Sequence, residues 1–229
     1  MILHTEYEQG SVEWMLARAG IPTASEFDNL LTPAFKVRDG EMPETYLDAK
    51  IDEAWTGGPG VQFNTFDMDQ GHILEQEAVP WYEFEFSEPI QRVAFATTDD
   101  GRIGCSPDGL IGDDGGIEIK CPQGKTHAGY LRRGGVPKKY LAQVHGAMFV
   151  TGRKWWKFLS YHRRYPPLLV LVERDEKIQE AIGEALEMFL ANFDRAMAHL
   201  TDLNGGPPKR RTPTPTPAAY SAPLDDIPH

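Results

Sequence analysis

Residues 105–120, CSPDGLIGDDGGIEIK, restrict the fold of this chain more than any other part of the sequence. The DDGG stretch at residues 113–116 is typical of a hairpin turn, because Asp and Gly adopt the backbone angles that tight turns need. Residues 117–121, which follow it, have the composition of a strand. Folding the chain at this turn is expected to place Asp108 roughly opposite Lys120.

Glu118 and Lys120 are expected to share one face of the predicted strand. Side chains alternate between the two faces of a strand, so Ile117 and Ile119 point the other way. If the isoleucines face the core, the polar pair lines an accessible surface. Opposed side chains in a sheet lie about 5 Å apart at Cβ, so Asp108 is expected within a few ångström of this pair.

Two carboxylates and an ammonium group in this arrangement indicate a metal-dependent hydrolase. Mg²⁺ takes oxygen ligands, typically one or two carboxylates with water and substrate phosphate. Asp108, Glu118 and the carbonyl of Ile119 supply such oxygens, while Lys120 can orient or deprotonate the attacking water or neutralise transition-state charge. The alternative is a turn aspartate beside a surface ion pair worth under about 1 kcal/mol. The combination of Ser-Pro-Asp-Gly with Ile-Glu-Ile-Lys favours the hydrolase.

The hydrophobic pattern elsewhere predicts an α/β fold in which helices flank a central antiparallel or mixed sheet. Thr23 and Glu26 form a capping-box pattern, which predicts a helix from there to about Leu31. The turn Asp99-Asp100-Gly101 is expected to join two strands. The other predicted elements are helices at residues 46–55 and 68–82, strands at 91–97, 103–106, 155–161 and 168–173, and a long helix from about Asp175.

Residues 203–229 are rich in Pro, Thr and Gly and are predicted to form a disordered tail. One domain is therefore expected at residues 1–202. Cys105 and Cys121 are the only cysteines, which excludes a disulfide framework. The sequence has neither a signal-peptide pattern nor an apolar run long enough to cross a membrane, so we expect a cytoplasmic protein.

Charge is distributed unevenly, although the chain is acidic overall with a formal net charge of −11. Residues 120–164 hold 11 of the 23 basic residues and none of the 34 acidic residues. A basic stretch on an acidic body binds phosphate locally and repels it elsewhere. An ordinary solvated basic face is the alternative, but such faces usually include acidic residues.

In the order of its motifs, the sequence resembles the PD-(D/E)xK nuclease superfamily, and more closely the bacteriophage lambda-type alkaline exonucleases of viral recombination. The resemblance covers about residues 11–200. It is carried by Trp14-x-x-x-Arg18-x-Gly20-x-x-Thr23-Ala24-Ser25-Glu26, Gly71-x-x-x-Glu75, Cys105-Ser106-Pro107-Asp108-Gly109-Leu110, Glu118-x-Lys120-Cys121-Pro122, Tyr140-x-Ala142-Gln143-Val144 and Val172-Glu173-Arg174-Asp175-Glu176.

This resemblance implies a restriction-endonuclease-like core and a Mg²⁺-dependent 5′→3′ exonuclease, in which Mn²⁺ can replace Mg²⁺. Such an enzyme digests one strand of linear duplex DNA and leaves a 3′ single-stranded overhang. The resemblance further implies a ring-shaped homotrimer, a single-strand-annealing protein as partner, and a phage or prophage protein in a bacterial host.

The resemblance also assigns roles to individual residues. Its metal ligands correspond to Asp108, Glu118 and the main-chain carbonyl of Ile119. Lys120 corresponds to the catalytic lysine. Glu75 matches an acidic residue that joins the metal site from the preceding helix, and Gln143 matches a glutamine beside the lysine.

Arg18, Ser25 and Thr23 match the pocket for the 5′-phosphate in that family. The match has an independent physical basis, because a helix capped by Thr23 presents free N–H groups to an anion. Candidate DNA contacts are Ser106, Lys125, Arg132, Arg133 and Tyr140.

Two other functions stay open at this point. A structure-specific or restriction-type endonuclease of the same fold shares the metal site, and a DNA-binding module without turnover is the third possibility. Arg18 favours end recognition, because a terminal phosphate carries more charge than an internal one. The complete set of Asp108, Glu118 and Lys120 favours turnover.

Overall fold

The computed structural model describes residues 1–58 and 66–207 and has the mixed α/β architecture that the sequence predicts. The strands are β1 Ile2–His4, β2 Phe95–Thr97, β3 Gly104–Cys105, β4 Gly109–Ile111, β5 Gly115–Lys120, β6 Trp155–Ser160 and β7 Leu168–Glu173. The α-helices are α1 Val12–Arg18, α2 Glu41–Thr56, α3 Phe66–Phe86, α4 Gly124–Arg133, α5 Lys138–Thr151 and α6 Glu176–Asn204, and a 3-10 helix spans Ala24–Asn29.

The strands form two sheets. One is antiparallel with the order β1-β2-β3. The other is mixed with the order β4-β5-β6-β7, in which only β5 and β6 are parallel. A bridge between Gln91 and Leu110 connects the chain before β2 to β4. The predicted strand at residues 91–97 is therefore shorter than expected, because its first part pairs with the other sheet.

Strand β5 is buried on both faces, which places the acidic motif inside the protein. Ile117 and Ile119 pack with Tyr82 of α3 in one hydrophobic cluster. On the opposite face, Phe158 of β6 packs with Met148 of α5 in the larger cluster. The expectation of an accessible polar face on β5 is wrong for Glu118, because helices cover both sides of the sheet.

The hairpin of β4 and β5 differs in register from the sequence prediction. Gly109 pairs with Ile117, which places Asp108 opposite Glu118 rather than Lys120. Gly115 and Gly116 lie in β5 and not in the turn. A Cβ at Gly116 would lie 2.4 Å from the Trp156 ring. These glycines therefore serve the packing of the β6 tryptophans. The sequence prediction, in contrast, assigns them to the hairpin turn.

Helix α6 begins where the sequence predicts. Asp175 caps it by accepting hydrogen bonds from the N–H groups of Lys177 and Ile178, at 2.9 and 3.4 Å. The helix ends at Asn204, two residues beyond the predicted domain boundary. Residues 208–229, with most of the predicted tail, lie outside the described residues. Across residues 1–58 and 66–207, no helix is both long and apolar enough to span a bilayer.

Candidate active site

Asp108 and Glu118 meet where β4 begins. Asp108 directly precedes β4, and the hairpin register brings it opposite Glu118 in β5. The carboxylate oxygen Oδ2 of Asp108 accepts a hydrogen bond of 2.5 Å from the N–H of Ile119. This backbone contact, absent from the sequence prediction, fixes the Asp108 carboxylate against the edge of β5.

Glu118 is held by two polar side chains. It is only 2 % exposed, and Lys120 forms an ion pair with its Oε1 atom. Gln143 of α5 donates a hydrogen bond of 2.7 Å from Nε2 to the same oxygen. The structure thus brings Asp108, Glu118, Lys120 and Gln143 together, as the sequence indicates.

The electrostatics of the cluster favour an additional positive charge. Burial raises the pKa of Asp108 well above its usual value, and the neighbouring charge of Glu118 raises it further. Burial likewise raises the pKa of Glu118 despite the opposing effect of Lys120. Burial lowers the pKa of Lys120, but the charges of Glu118 and Asp108 outweigh it and raise that pKa overall. One ammonium group therefore does not compensate the two carboxylates.

Glu75 of α3 adds a third acidic group near this pair. Its negative charge raises the pKa of both Asp108 and Glu118. Arg92 connects α3 to the residue that precedes β4. Its Nη2 lies 3.3 Å from the Glu75 carboxylate, and its Nη1 lies 3.0 Å from the main-chain oxygen of Asp108. The sequence analysis missed Arg92, and no motif singles it out.

The donor set fits a hard divalent cation. Buried carboxylates with raised pKa values gain most from such an ion, which restores their charged forms. The N–H and C=O of one strand residue face the same neighbour, so the carbonyl of Ile119 points to the side of Asp108. Among the described residues, no three His, Cys, Asp or Glu side chains gather closely enough to hold a metal. Two carboxylates and one carbonyl supply fewer oxygens than such an ion takes, so further oxygen ligands would complete its coordination shell.

Arg18 lies next to this cluster. Its Nη1 donates a hydrogen bond of 2.9 Å to Ser106 Oγ, and its Nη2 donates one of 3.2 Å to Thr23 Oγ1. The guanidinium stacks on the Trp14 ring at 4.1 Å from its centroid. Within the described part of the chain, Arg18 forms no direct ion pair with a carboxylate; Glu26 and Glu53 pair with Lys50, and Glu26 is connected to Arg18 through the Thr23 hydroxyl.

The capping box predicted at Thr23 is wrong in its geometry. The helix that follows is a six-residue 3-10 helix, and the Thr23 side chain does not accept a hydrogen bond from its N–H groups. Thr23 Oγ1 instead donates to the carboxylate of Glu26 at 3.0 Å and lies 3.3 Å from Ser25 Oγ. Arg18, Thr23 and Ser25 are together as predicted, but they are joined by hydroxyl contacts and not by a helix terminus.

A buried cluster of charged side chains contacts this pocket through Glu26. Lys50 of α2 is 5 % exposed, and its Nζ lies 3.0 Å from Glu26 and 3.1 Å from Glu53. Tyr46 donates a hydrogen bond of 3.3 Å to Glu26. The sequence analysis missed this cluster. The i, i+3 spacing of Lys50 and Glu53 was its only signal, and many surface helices share that spacing.

The predicted DNA contacts fall into two groups. Ser106 already accepts hydrogen bonds from Arg18 and from Trp14, whose Nε1 lies 3.2 Å away. Tyr140 is half-buried, with Lys120 Nζ 5.3 Å from its ring centroid, so it packs against the cluster. The exposed candidates are Lys125, Arg132 and Arg133.

A comparison with protein families matches residues 13–154 to the model of the YqaJ-like viral recombinase domain. The matched segment contains the Arg18 pocket and the complete carboxylate cluster. A shorter match is to a putative uncharacterized protein, ExoD, of Escherichia coli K12. It is 31 % identical over 68 residues, which are 28 % of this chain and 78 % of that protein.

The fold is similar to solved exonuclease structures. An alkaline exonuclease from Laribacter hongkongensis, LHK-Exo, also solved in complex with dAMP, superimposes with a TM-score of 0.77 at 30 % identity. The match covers 85 % of this chain and 98 % of that one. A phage-related exonuclease from Haemophilus somnus matches with a TM-score of 0.55 at 14 % identity, over 85 % of this chain and 98 % of the other, and shows the fold alone.

Proposed function

Since this chain belongs to the family of YqaJ-like viral recombinase domains, we propose that it is a DNA exonuclease of recombination. In this proposal it digests one strand of linear duplex DNA from the 5′ end, with Mg²⁺, and leaves a 3′ single-stranded overhang. The observation that carries the proposal is the buried cluster of Asp108, Glu118, Lys120 and Gln143. The similarity to an alkaline exonuclease over nearly its whole length supports the same activity.

Asp108, Glu118 and the carbonyl of Ile119 would hold the metal, and the negative charge of Glu75, which acts on both carboxylates, would add to the attraction for a cation. When bound, Mg²⁺ polarises the phosphoryl oxygen and lowers the pKa of water, and Mn²⁺ has the same chemistry. The chain prepares this site by excluding solvent and by fixing both carboxylates with hydrogen bonds from Ile119 and Gln143. Metal ligands fixed in this way lose little entropy on binding.

Lys120 acts as a cation in this proposal. In the metal-free site the carboxylates of Glu118 and Asp108 raise the pKa of Lys120, so its Nζ is protonated there at neutral pH. A protonated amine stabilises the charge that develops on the transferred phosphoryl oxygens and orients the attacking water by hydrogen bonding. Gln143 is a positioning residue, since it acts through Glu118.

Arg18, Thr23 and Ser25 form the proposed pocket for the 5′-phosphate. Arg18 presents a guanidinium that is not ion-paired among the described residues, and the Ser25 hydroxyl supplies a further donor, whereas the Thr23 hydroxyl donates to Glu26. Guanidinium groups bind phosphate through paired hydrogen bonds. Ser106 links this pocket to the metal cluster, so that the terminal nucleotide is placed for cleavage.

The nuclease domain proposed here spans residues 1–202, and the family resemblance extends the proposal to its setting. We expect a ring-shaped homotrimer that encloses DNA, a single-strand-annealing protein as partner, and function in the cytoplasm of a bacterial host carrying the phage or prophage. These features are open to measurement of the oligomeric state and of complex formation.

An endonuclease of the same fold and a DNA-binding module without turnover are the competing functions. The test compares linear duplex carrying a 5′-phosphate with a covalently closed circle of the same sequence, in Mg²⁺ and in chelator. We expect rapid digestion of the linear DNA, release of the 5′ label before the 3′ label, and little action on the circle. Equal cleavage of both substrates would indicate an endonuclease, and no cleavage of either would indicate a binding module.

A further inference from the structure

Lys50 is a buried cation that the proposed reaction does not use. It is 5 % exposed, and its Nζ lies between two carboxylates, 3.0 Å from Glu26 and 3.1 Å from Glu53. A buried ion pair often adds no net stability over apolar residues of similar size, because desolvation of the charges offsets their attraction. The position of Lys50 next to the proposed phosphate pocket therefore calls for an explanation beyond stability.

Glu26 connects Lys50 to that pocket. The Thr23 hydroxyl accepts a hydrogen bond of 3.2 Å from Arg18 Nη2 and donates one of 3.0 Å to Glu26 Oε2. A single hydroxyl group thus separates the carboxylate of Glu26 from the guanidinium of Arg18. Burial lowers the pKa of Arg18, and the negative charge of Glu26 is the largest effect that opposes it. The proposed pocket for an anion therefore borders on an anion of the protein itself.

A carboxylate so close to a guanidinium competes with phosphate for it. Arg18 and Glu26 already contact the same Thr23 oxygen, and they would form a direct ion pair if the carboxylate moved past that hydroxyl. A cavity of about 70 Å³ is lined by Arg18, Glu26 and Lys50, so the Glu26 side chain has room for this movement. A direct pair would occupy the guanidinium donors that a phosphate needs.

Helix α2 binds the Glu26 carboxylate through two side chains. Lys50 Nζ and the Tyr46 hydroxyl both contact Oε2, the oxygen that accepts from Thr23, at 3.0 and 3.3 Å. Of the three groups that contact this oxygen, Lys50 alone carries a positive charge. Lys50 therefore offsets the charge that Glu26 would otherwise direct at Arg18 and at an incoming phosphate.

Glu53, the other partner of Lys50, has a different environment. Its Oε2 accepts a hydrogen bond of 2.9 Å from the N–H of Gly20, and its side chain is 16 % exposed against 36 % for Glu26. Its charge acts on the pKa of Arg18 less than the charge of Glu26 does. The two carboxylates thus share one cation, but Glu26 is the one connected to the pocket through Thr23.

We propose that Lys50 is a positioning residue that determines selectivity for a 5′-phosphate. By pairing with Glu26, it keeps the Arg18 guanidinium available to the terminal phosphate of the DNA. The inference rests on the proposed function, in which Arg18 binds that phosphate. Lys50 acts through Glu26 and not by contact with DNA, so its effect depends on the charge of Glu26.

The test compares two double variants that keep the net charge of the parent. Lys50→Met with Glu26→Gln removes the cation and the competing carboxylate together, whereas Lys50→Met with Glu53→Gln leaves Glu26 charged. The measurement is the ratio of Kd for 5′-hydroxyl and 5′-phosphorylated linear duplex, by fluorescence anisotropy in chelator, at a temperature at which each variant is folded. We expect the Glu26→Gln double variant to keep the ratio of the parent. In the Glu53→Gln double variant the ratio should fall about tenfold or more, as for the loss of a charge-assisted hydrogen bond.

A single variant, Glu26→Gln, retains the pair of Lys50 with Glu53 and provides a check that does not require loss of the buried cation. Its ratio should equal or exceed that of the parent, and a lower ratio would overturn the inference, because Glu26 would then support phosphate binding.

Equal ratios in the two double variants would also overturn it. A fall in both would assign Lys50 to the support of the fold, and parent ratios in both would show that Glu26 does not compete for Arg18. A parent that binds both ends equally would contradict the proposed phosphate pocket and this inference with it. Digestion of linear duplex by the parent in Mg²⁺ is a separate measurement, and its absence would contradict the nuclease function whatever the ratios.

Discussion

Arg18 and Ser106 are joined by a hydrogen bond of 2.9 Å although they lie 88 positions apart in the chain. Ser106 precedes Asp108 by only two residues. One contact therefore fixes the distance between the proposed phosphate pocket and the proposed metal ligands. An enzyme that removes terminal nucleotides needs such a fixed distance, because the position of the terminal phosphate determines which bond reaches the metal.

Arg18→Ala is expected to remove most of the preference for 5′-phosphorylated over 5′-hydroxyl ends. A charge-assisted hydrogen bond contributes about 1.5–3 kcal/mol, so the preference should fall by about tenfold to a hundredfold. The measurement is the ratio of initial digestion rates on the two ends. Arg18→Lys keeps the charge without the paired donors, so its rate ratio should lie between those of the parent and Arg18→Ala. An equal ratio in Arg18→Ala and the parent would exclude Arg18 from the pocket.

Asp108→Asn is expected to stabilise the metal-free protein at neutral and alkaline pH. The folded-state pKa of Asp108 is raised by burial and by Glu118. Below the unfolded-state pKa of about 4, the Asp108 carboxyl is protonated in both the folded and the unfolded protein. The parent protein loses stability as the pH rises through the folded-state pKa of this carboxyl. Asparagine can still accept the Ile119 hydrogen bond but carries no charge. We expect a gain of about 1 kcal/mol, or roughly 2–4 °C in Tm.

The measurement is urea unfolding of both proteins in chelator at pH 5 and pH 8. The difference in the free energy of unfolding between the variant and the parent should be larger at pH 8 than at pH 5. It should become smaller when Mg²⁺ is added, because the ion stabilises the parent. A variant that is less stable than the parent at pH 8 would contradict the electrostatic account of the cluster.

Lys50→Met is expected to destabilise the fold by about 3 kcal/mol, because it removes the counter-charge of the largely buried Glu53 carboxylate and leaves it only the hydrogen bond from the N–H of Gly20. Thermal unfolding measures this loss. The double variant Lys50→Met with Glu53→Gln should recover part of the lost stability. The control, Lys154→Met, removes an exposed ion pair. If the double variant is no more stable than the single one, Lys50 contributes packing and not charge neutralisation.

Gln143→Leu is expected to raise the Mg²⁺ concentration needed for half-maximal digestion by about 10- to 100-fold, as is usual when a partner of a metal ligand is removed. Gln143 holds Glu118 at 2.7 Å, and leucine has a similar size without the donor. The rate at saturating Mg²⁺ should fall less than the rate at low Mg²⁺. An unchanged Mg²⁺ dependence would exclude Gln143 as a positioning residue.

The sequence predicts the elements that depend on local patterns. Helix α6 has a capping aspartate and a long apolar stripe, and β7 is a short apolar run with clear limits, so both were predicted within a few residues. The fold class was confirmed for the same reason. Helix α1 was not predicted because its seven residues are too few to show an apolar period, and α4 and α5 were not predicted because glycines and aromatic residues interrupt their apolar periodicity.

The chemistry of the site was more predictable than its geometry. Spacing alone indicated that Asp108, Glu118 and Lys120 lie together. It did not reveal that Asp108 opposes Glu118, because the register depends on Gly115 and Gly116 packing under the β6 tryptophans, which are distant in sequence. Burial of Glu118 was missed for a similar reason, since it depends on which helices cover the sheet.

The most direct test of the central claim is the release of 5′ label from phosphorylated linear duplex by the parent and by Asp108→Asn, in Mg²⁺ and in chelator. Loss of a metal ligand costs several kcal/mol of transition-state stabilisation, and each 1.36 kcal/mol is a factor of ten. We predict Mg²⁺-dependent release by the parent, none in chelator, and a rate at least about a thousandfold lower in the folded variant. Release at near-parent rate by Asp108→Asn, or by the parent in chelator, would contradict the account.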